Sequence, residues 1–330
     1  MLKRWFAGLA LAVGTAAATC APSAWAQGTW PSRPIKLVVP FPAGGTTDVI
    51  ARLVASNMSA PLGQEIVVEN KGGAATVIGV DAVAKAAPDG YTLLLATATS
   101  FSVNPHIYKN LPYSPDEFVP IGFIGEAPTV LVSPATATTK NLPELVKALK
   151  SSKNETLIAT TGKGGFSHLT AAMFFNAIGA RFRDVSYRGE APALQDLLGG
   201  QIGLYFGSMP GTMPYVNMGR LRAYGVTSVD GSPAAPGVPS FTEQGLPDVV
   251  AISWFGLAAP RGTPPEVVAA LSTALNKAME NPAVLARMAS DGAVPRTMRP
   301  NDFSDFIRKD NEQWRRIVRA ANVEAEGSPR

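Results

Sequence analysis

The chain has 330 residues, of which 46% are hydrophobic and 16% charged, and it carries a formal net charge of +4. This length suffices for one or two domains with a buried core. The single cysteine excludes a disulfide framework and a thiolate metal cluster, and the small net charge, without a lysine and arginine cluster, excludes nucleic acid as a partner.

The first 26 residues have the pattern of a cleaved export signal. Lys3 and Arg4 precede a mostly apolar run, and Ala24-Trp25-Ala26 places small residues where a signal peptidase cuts. The run is too short for a comfortable membrane span. A membrane anchor is therefore disfavoured. Lipidation at Cys20 is the second alternative to a cleaved signal, but Ala17-Ala18-Thr19 is a poor match to the usual lipidation motif. We therefore predict cleavage after Ala26 and an exported protein.

The predicted mature chain has 304 residues (330 minus 26), no cysteine and a net charge of +2, because Lys3 and Arg4 are lost. Its first third alternates short apolar strands, predicted at residues 35–39, 66–68 and 91–96, with helices. This order predicts a mainly parallel sheet with right-handed crossovers. Ligands on such sheets bind beyond the carboxyl ends of the strands.

A second series of strands and helices begins near residue 129. Capping patterns predict helix starts at Asn141, at Ser240 and at Thr263. Three helices in a row are predicted at the end of the chain. The later strands are predicted at residues 129–132, 156–159, 184–187, 202–206, 221–226 and 252–259.

Two glycine-rich turns, each leading into a helix, are the most informative features. The first is Phe41-Pro42-Ala43-Gly44-Gly45-Thr46-Thr47-Asp48, and the second is Thr161-Gly162-Lys163-Gly164-Gly165-Phe166-Ser167-His168. Glycines permit tight bends and close approach of a ligand, and the amides of a starting helix attract anions. The alternative is a plain strand-to-helix connection. Asp48 either caps its helix or meets a donor group of the ligand.

Neither turn has the spacing of a Walker loop or of the dinucleotide fingerprint, so no nucleotide cofactor is expected. Ser167 and His168 are adjacent on a helix and do not face each other, and no nucleophile elbow surrounds Ser167. Two histidines and no cysteine argue against a metal site, although a carboxylate-rich one stays open.

Several motifs occur in an order that resembles the Bug family, the extracytoplasmic solute receptors of tripartite tricarboxylate transporters. The resemblance spans nearly the whole mature chain. Besides the first glycine-rich turn with Val38-Val39-Pro40 before it, the motifs are Pro88-Asp89-Gly90-Tyr91-Thr92-Leu93-Leu94, Tyr187-Arg188-Gly189 with Pro192-Ala193, Asp196-Leu197-Leu198-Gly199-Gly200-Gln201, and Trp254-Phe255-Gly256-Leu257-Ala258-Ala259-Pro260.

The resemblance implies an α/β, type II periplasmic-binding-protein fold, with two lobes joined by a hinge and the ligand cleft between them. Lobe 1 is expected to comprise residues 27–126 plus 253–330, and lobe 2 residues 127–252. The implied protein is a periplasmic monomer without cofactor or enzymatic activity. It would bind a small organic anion, such as a di- or tricarboxylate, an aromatic carboxylate or an amino acid, and deliver it to cognate membrane permease subunits.

The resemblance also implies ligand-binding residues on both walls of the cleft. The chain departs from the family pattern at Ala43, usually a second proline, and at Gly165, usually a serine, which leaves the ligand open. The first wall would comprise Phe41, Ala43, Gly44, Gly45, Thr46, Thr47 and Asp48, with Thr97, Thr99 and Ser100 as a looser match. The facing wall would comprise Thr161, Gly162, Gly164, Gly165, Phe166 and His168, with Phe206 and Gly207 nearby.

Two alternative functions stay open from the sequence alone. One is a receptor that signals to a membrane sensor instead of serving a permease. The other is an exported hydrolase that uses Ser167 or His168.

Overall fold

The computed structural model describes residues 30–321. The predicted export signal, its cleavage site and Cys20 lie outside the described residues. Within the described range, strands and helices alternate along most of the chain. The strands are β1 (Ile35–Val39), β2 (Ile66–Asn70), β3 (Thr92–Thr97), β4 (Phe118–Pro134), β5 (Thr156–Thr160), β6 (Phe182–Ser186), β7 (Tyr205–Ser208), β8 (Leu221–Val226), β9 (Ile252–Pro260) and β10 (Val294–Met298).

The helices pack on the faces and ends of the sheet that these strands form. A π-helical turn over Thr99–Val103 follows β3, and a short 3₁₀ turn over Pro115–Glu117 precedes β4. The α-helices are α1 (Thr46–Leu62), α2 (Val77–Ala84), α3 (Asn104–Ile107), α4 (Leu142–Ser151), α5 (Phe166–Ile178), α6 (Glu190–Leu198), α7 (Met209–Asn217), α8 (Pro265–Glu280), α9 (Pro282–Ser290) and α10 (Pro300–Ala321).

The sheet is mixed, in the order β2-β1-β3-β9-β4-β7-β5-β6, and β8 and β10 also pair with β4. In the first lobe β1 lies parallel to β2 and β3, as the β-α-β-α-β pattern predicts. In the second lobe β5 lies parallel to β6 and β7. The pairings of the two long strands, β4 and β9, are antiparallel instead. Strand β9 pairs with β3 and β4 in this way, and β7 and β8 pair with β4.

Strand β4 connects the two lobes without a break. Its first part, from Phe118 to Pro128, pairs with β9, and its last part, from Val130 to Pro134, pairs with β8. Two irregularities in the register with β9, at residues 120–122 and 123–125, bend and twist the first part of the strand. The division into residues 27–126 plus 253–330 and 127–252 stays a prediction.

Aromatic side chains form the core of each lobe. In the first lobe Trp254, Phe123 and Phe303 pack together, and the rings of Trp254 and Phe303 meet edge to face at 5.4 Å. In the second lobe Phe174 contacts Phe206 and Phe241, with centroids 5.7 and 5.5 Å apart. Burial of these large rings dominates the hydrophobic stabilisation of both lobes.

The last helix, α10, contacts both lobes. It packs on the first lobe through Phe303, and the ring of Trp314 contacts that of Phe166 of α5 in a tilted arrangement, with centroids 5.2 Å apart. Within residues 30–321 no helix is both long and apolar enough to cross a bilayer. The same range contains no cluster of three or more acidic, histidine or cysteine side chains that could hold a metal ion.

Candidate ligand-binding site

A cavity of about 70 Å³ lies between the two lobes. The first lobe contributes the turn before α1, the second lobe the turn before α5 and the starts of α6 and α7, and β9 contributes the floor. The lining residues are Phe41, Pro42, Gly45, Thr46, Thr47, Thr99, Thr129, Thr161, Phe166, Ser167, Glu190, Tyr205, Phe206, Ser208, Ser253 and Phe255.

The turn before α1 is held by the Asp48 carboxylate. The carboxylate accepts hydrogen bonds from the Gly44 amide at 3.0 Å and from Asn70 Nδ2 at 2.9 Å, and it forms an ion pair with Arg52 at 3.0 Å. Burial alone would raise the pKa of Asp48, but the hydrogen bonds from Arg52, Gly44 and Asn70 together lower it. Asp48 is 4% exposed and does not line the cavity. Asp48 therefore holds the turn in shape without facing the cavity.

The turn before α5 is held in a similar way by Ser167 and His168. Ser167 Oγ accepts a hydrogen bond from the Thr161 amide at 2.8 Å, and His168 Nδ1 accepts one from the Gly164 amide at 2.7 Å. The imidazole is thus in the tautomer with its proton on Nε2. Burial, and then the nearby Lys163, lower the pKa of His168, while Asp184 opposes them. A buried, neutral imidazole engaged with a backbone amide is a structural element of the turn.

Two helix N-termini meet at the cavity. Helices α1 and α5 begin after Gly45 and Gly165, and neither glycine provides a side chain to cap the helix. The first-turn amides, including those of Thr47 and Ser167, have no acceptor within their own helices. Both residues line the cavity. The walls therefore present backbone donors and partial positive charge to whatever enters.

One carboxylate already occupies part of this surface. Glu190, the first residue of α6, reaches across the cavity, and its Oε2 accepts a hydrogen bond from the Thr46 amide at 2.9 Å. Its Oε1 accepts from the Ser208 amide at 3.0 Å and from Thr212 Oγ1 at 3.4 Å. Burial raises the pKa of Glu190 against these hydrogen bonds, and no basic side chain of residues 30–321 offsets it.

Known proteins match this chain over most of its length. Residues 50–323 match the tripartite tricarboxylate transporter family receptor. The chain belongs to this receptor family. It is 37% identical over 293 residues to the protein BugT of Bordetella pertussis, an alignment that covers 88% of this chain and 90% of the relative.

Solved structures of related receptors have the same fold. The periplasmic binding protein BugD is 36% identical, with a TM-score of 0.86 over 89% of this chain and 99% of its own. MatC of Rhodopseudomonas palustris, solved with bound malate, is 31% identical, with a TM-score of 0.83 over 88% of this chain and 100% of its own. The chain is therefore a two-lobed periplasmic-type solute receptor of the Bug family and not an enzyme.

The receptor brings eight of the residues predicted from the sequence together in the cavity wall. The others lie beside it: Thr97 and Ser100 hydrogen-bond each other at the end of β3, Gly207 lies in β7, and the remaining glycines belong to the two turns. Contact of any of them with a ligand stays a prediction. The eight are Phe41, Gly45, Thr46, Thr47, Thr99, Thr161, Phe166 and Phe206, and those outside the lining are Ala43, Gly44, Asp48, Thr97, Ser100, Gly162, Gly164, Gly165, His168 and Gly207.

Sequence reasoning missed several residues of the cavity wall. Ser253 and Phe255 flank the buried Trp254 on β9, and strict alternation along a strand places them on the opposite face. That alternation was a usable signal. Glu190 had no such signal, because a glutamate at the start of a helix is ordinarily a favourable charge for the helix dipole.

Proposed function

We propose that this receptor works in the periplasm, binds a small organic anion between its lobes and delivers it to a tripartite tricarboxylate-type membrane permease. The observation that carries the proposal is the convergence of the α1 and α5 N-termini on one cavity of a receptor of this family. Helix N-termini are natural anion sites. The malate bound to the related MatC is an anion of this kind.

Both lobes are needed for useful affinity. One helix N-terminus contributes about 0.3–2 kcal/mol to a bound anion, whereas micromolar binding requires roughly 8 kcal/mol. The remaining free energy must come from hydroxyl donors such as Thr99 and Ser253, from the aromatic walls, and from exclusion of water when the lobes close. Closure of the two lobes around the ligand by hinge motion is the mechanism that follows.

The test is a substitution in the first wall with a matched control. Gly45 has an ordinary backbone conformation, and a Cβ there would point at Glu190 Cβ at 3.4 Å, so Gly45→Leu fills the cavity. Gly203 has open space around it, and Gly203→Leu is the control. In calorimetric titrations with a panel of small carboxylates, we expect Gly45→Leu to weaken binding at least tenfold and Gly203→Leu to leave it unchanged. Equal affinity of both variants would refute the site.

Export and delivery need separate measurements. If the signal is cleaved after Ala26, protein recovered from the periplasm of an expressing bacterium will begin at Gln27, which intact-mass analysis detects. Uptake of the labelled ligand by cells that lack the receptor should return with the wild-type chain and not with Gly45→Leu. Normal uptake without the receptor would contradict the delivery role.

A further inference from the structure

The Glu190 carboxylate gives the cavity a charge pattern that a plain dicarboxylate does not complement. Among the described residues that line the cavity, Glu190 is the one charged side chain, and no lysine or arginine is present. Five aromatic rings surround the space, from Phe41, Phe166, Tyr205, Phe206 and Phe255. Tyr205 and Glu190 line the same cavity, and burial, followed by the charge of Glu190, raises the pKa of the Tyr205 hydroxyl.

Hydrogen bonds and a matching space on α7 hold the Glu190 side chain in its position in the cavity wall. The backbone amides of Thr46 and Ser208 would both lose their acceptor if the carboxylate left. A Cβ on Gly211 would lie 2.6 Å from Glu190 Oε2, so the absence of a side chain on α7 is what makes room for the carboxylate. A buried amide left without an acceptor costs about 1–3 kcal/mol, and both of these hydrogen bonds are part-buried. In the absence of another acceptor, the Glu190 carboxylate is therefore held in this position.

The carboxylate still has capacity for a ligand. Two carboxylate oxygens offer about four acceptor positions, and three donors occupy them: the Thr46 amide, the Ser208 amide and Thr212 Oγ1. Oε2 accepts only one of the three, and the Thr46 hydroxyl, which has no other partner, lies near enough to oppose the rise in the pKa of Glu190. A donor on the ligand can use the free position, and a cationic donor would also interact with the neighbouring aromatic faces.

We propose that Glu190 selects ligands that carry an N–H donor, an ammonium or a primary amide, at the end opposite their carboxylate. This inference rests on the proposed function, in which the first-turn amides of α1 and α5 hold that carboxylate. The ligand class is thus an amino acid or the monoamide of a dicarboxylic acid. A dicarboxylate would place its second charge against Glu190 in a cavity of about 70 Å³, where like charges repel strongly.

Matched compounds test the proposal without any substitution. Succinate, succinamate and β-alanine have the same carboxylate end and differ at the other end, and the glutarate, glutaramate and 4-aminobutyrate set repeats the comparison one carbon longer. In calorimetric titrations of protein expressed from the full-length chain, we expect succinamate or β-alanine, or their longer counterparts, to bind at least tenfold tighter than the dicarboxylate of the same set.

A variant then assigns the preference to Glu190. Glu190→Gln replaces the negative charge with an amide of the same shape, so we expect the preference to fall at least tenfold. Glu155 is exposed, and Glu155→Gln is the control, which should keep the preference of the wild type. If Glu190→Gln fails to fold, the wild-type comparison alone still decides.

The outcomes separate the two proposals. If the wild-type protein binds the dicarboxylates as tightly as the donor-bearing compounds, or if Glu190→Gln retains the preference, the inference about Glu190 is overturned and the anion receptor stands. Tighter dicarboxylate binding in wild type would identify Glu190 as a displaceable occupant of the anion site, which also overturns the inference. If no carboxylate of either set binds, the proposed function fails and the inference falls with it.

Discussion

Three titratable side chains around the cavity are held by backbone amides, with different consequences for each charge. Asp48 gains an arginine partner as well as its amide, so it stays ionised and the hydrogen bonds lower its pKa against the effect of burial. Glu190 has amides and a hydroxyl but no cation, and burial raises its pKa. His168 accepts from an amide with a nitrogen that must stay unprotonated, and burial lowers its pKa. Although backbone amides hold all three side chains, the pKa is lowered at Asp48 and His168 and raised at Glu190.

The neutral state of His168 predicts a loss of stability in acid. Because its pKa in the folded protein lies below the ordinary value of 6.5, the unfolded chain binds the proton first as the pH falls. The free energy of unfolding therefore decreases below about pH 6.5, by up to about 1.4 kcal/mol per pH unit from this group. His168→Asn keeps an acceptor for the Gly164 amide but does not titrate.

The measurement is urea unfolding of the wild type and His168→Asn at pH 7.5, 6.5 and 5.5. We expect the stability of the wild type to fall relative to that of the variant as the pH decreases. Groups common to both proteins, including the half-buried Asp310 and Glu190, cancel in the difference. Parallel pH profiles would show that His168 is not the responsible group.

At the scale of the elements, local pattern predicted most strands of the two lobes. The bounds of β1 and β8 coincide with the predicted ones, since both are short apolar runs between turns. The length of β4 was not foreseen, because its 17 residues belong to two lobes and read as separate apolar segments. Strand β10 was missed as well. Its five residues include a proline and none of them is buried, and the strand exists through pairing with β4, which no local pattern encodes.

One capping pattern formed without producing a helix. The Ser240 amide donates to Glu243 Oε2 at 2.7 Å and the Glu243 amide donates to Ser240 Oγ at 3.0 Å, as a capping box requires. The segment nevertheless forms only turns. Gly245 adopts a left-handed φ of +82°, and Pro247 disfavours helical geometry in the residue before it. A start signal therefore predicts a helix only where the next two turns can continue it.

The connection before α2 carries backbone strain that a substitution can relieve. Ala74, Ala75 and Thr76 have φ values of +47°, +47° and +82°, a left-handed region that costs a residue with a Cβ about 1–2 kcal/mol. Asn104 Nδ2 holds the Ala75 carbonyl at 2.8 Å. Ala75→Gly removes the steric cost but increases the entropy of the unfolded chain, so we expect a net gain of about 0.5–1 kcal/mol in stability.

The control for this prediction has the opposite sign. Ala269 is an exposed residue inside α8, where Ala269→Gly should cost about 0.5–1 kcal/mol. Urea unfolding of the two variants and the wild type measures both effects. Equal losses in the two variants would mean that Ala75 is not strained in solution.

At the scale of the whole molecule, the cavity is the part that the sequence could predict least. Each glycine-rich turn was recognisable alone, because a turn and a helix start are local features. Which side chains face one another across the cleft depends on how closely the lobes approach. Glu190 meets the Thr46 amide although 144 residues separate them. Only the assembled lobes bring an acidic residue of one wall onto the helix N-terminus of the other.

Close approach of the lobes depends on the lack of a side chain at Gly189. A Cβ there would lie 2.7 Å from Pro42 Cδ on the facing wall. We expect Gly189→Ala to hold the lobes apart and to weaken binding of the tightest carboxylate of the panel roughly tenfold, about 1.4 kcal/mol. Small-angle scattering with saturating ligand should give a larger radius of gyration than for the wild type.

Gly189 has a φ of +157°, so a control for backbone strain is needed. Gly200→Ala introduces such strain at a φ of +71° with no neighbour within 4 Å. An unchanged affinity for Gly189→Ala, or an equal loss in Gly200→Ala, would contradict a role of this contact in closure.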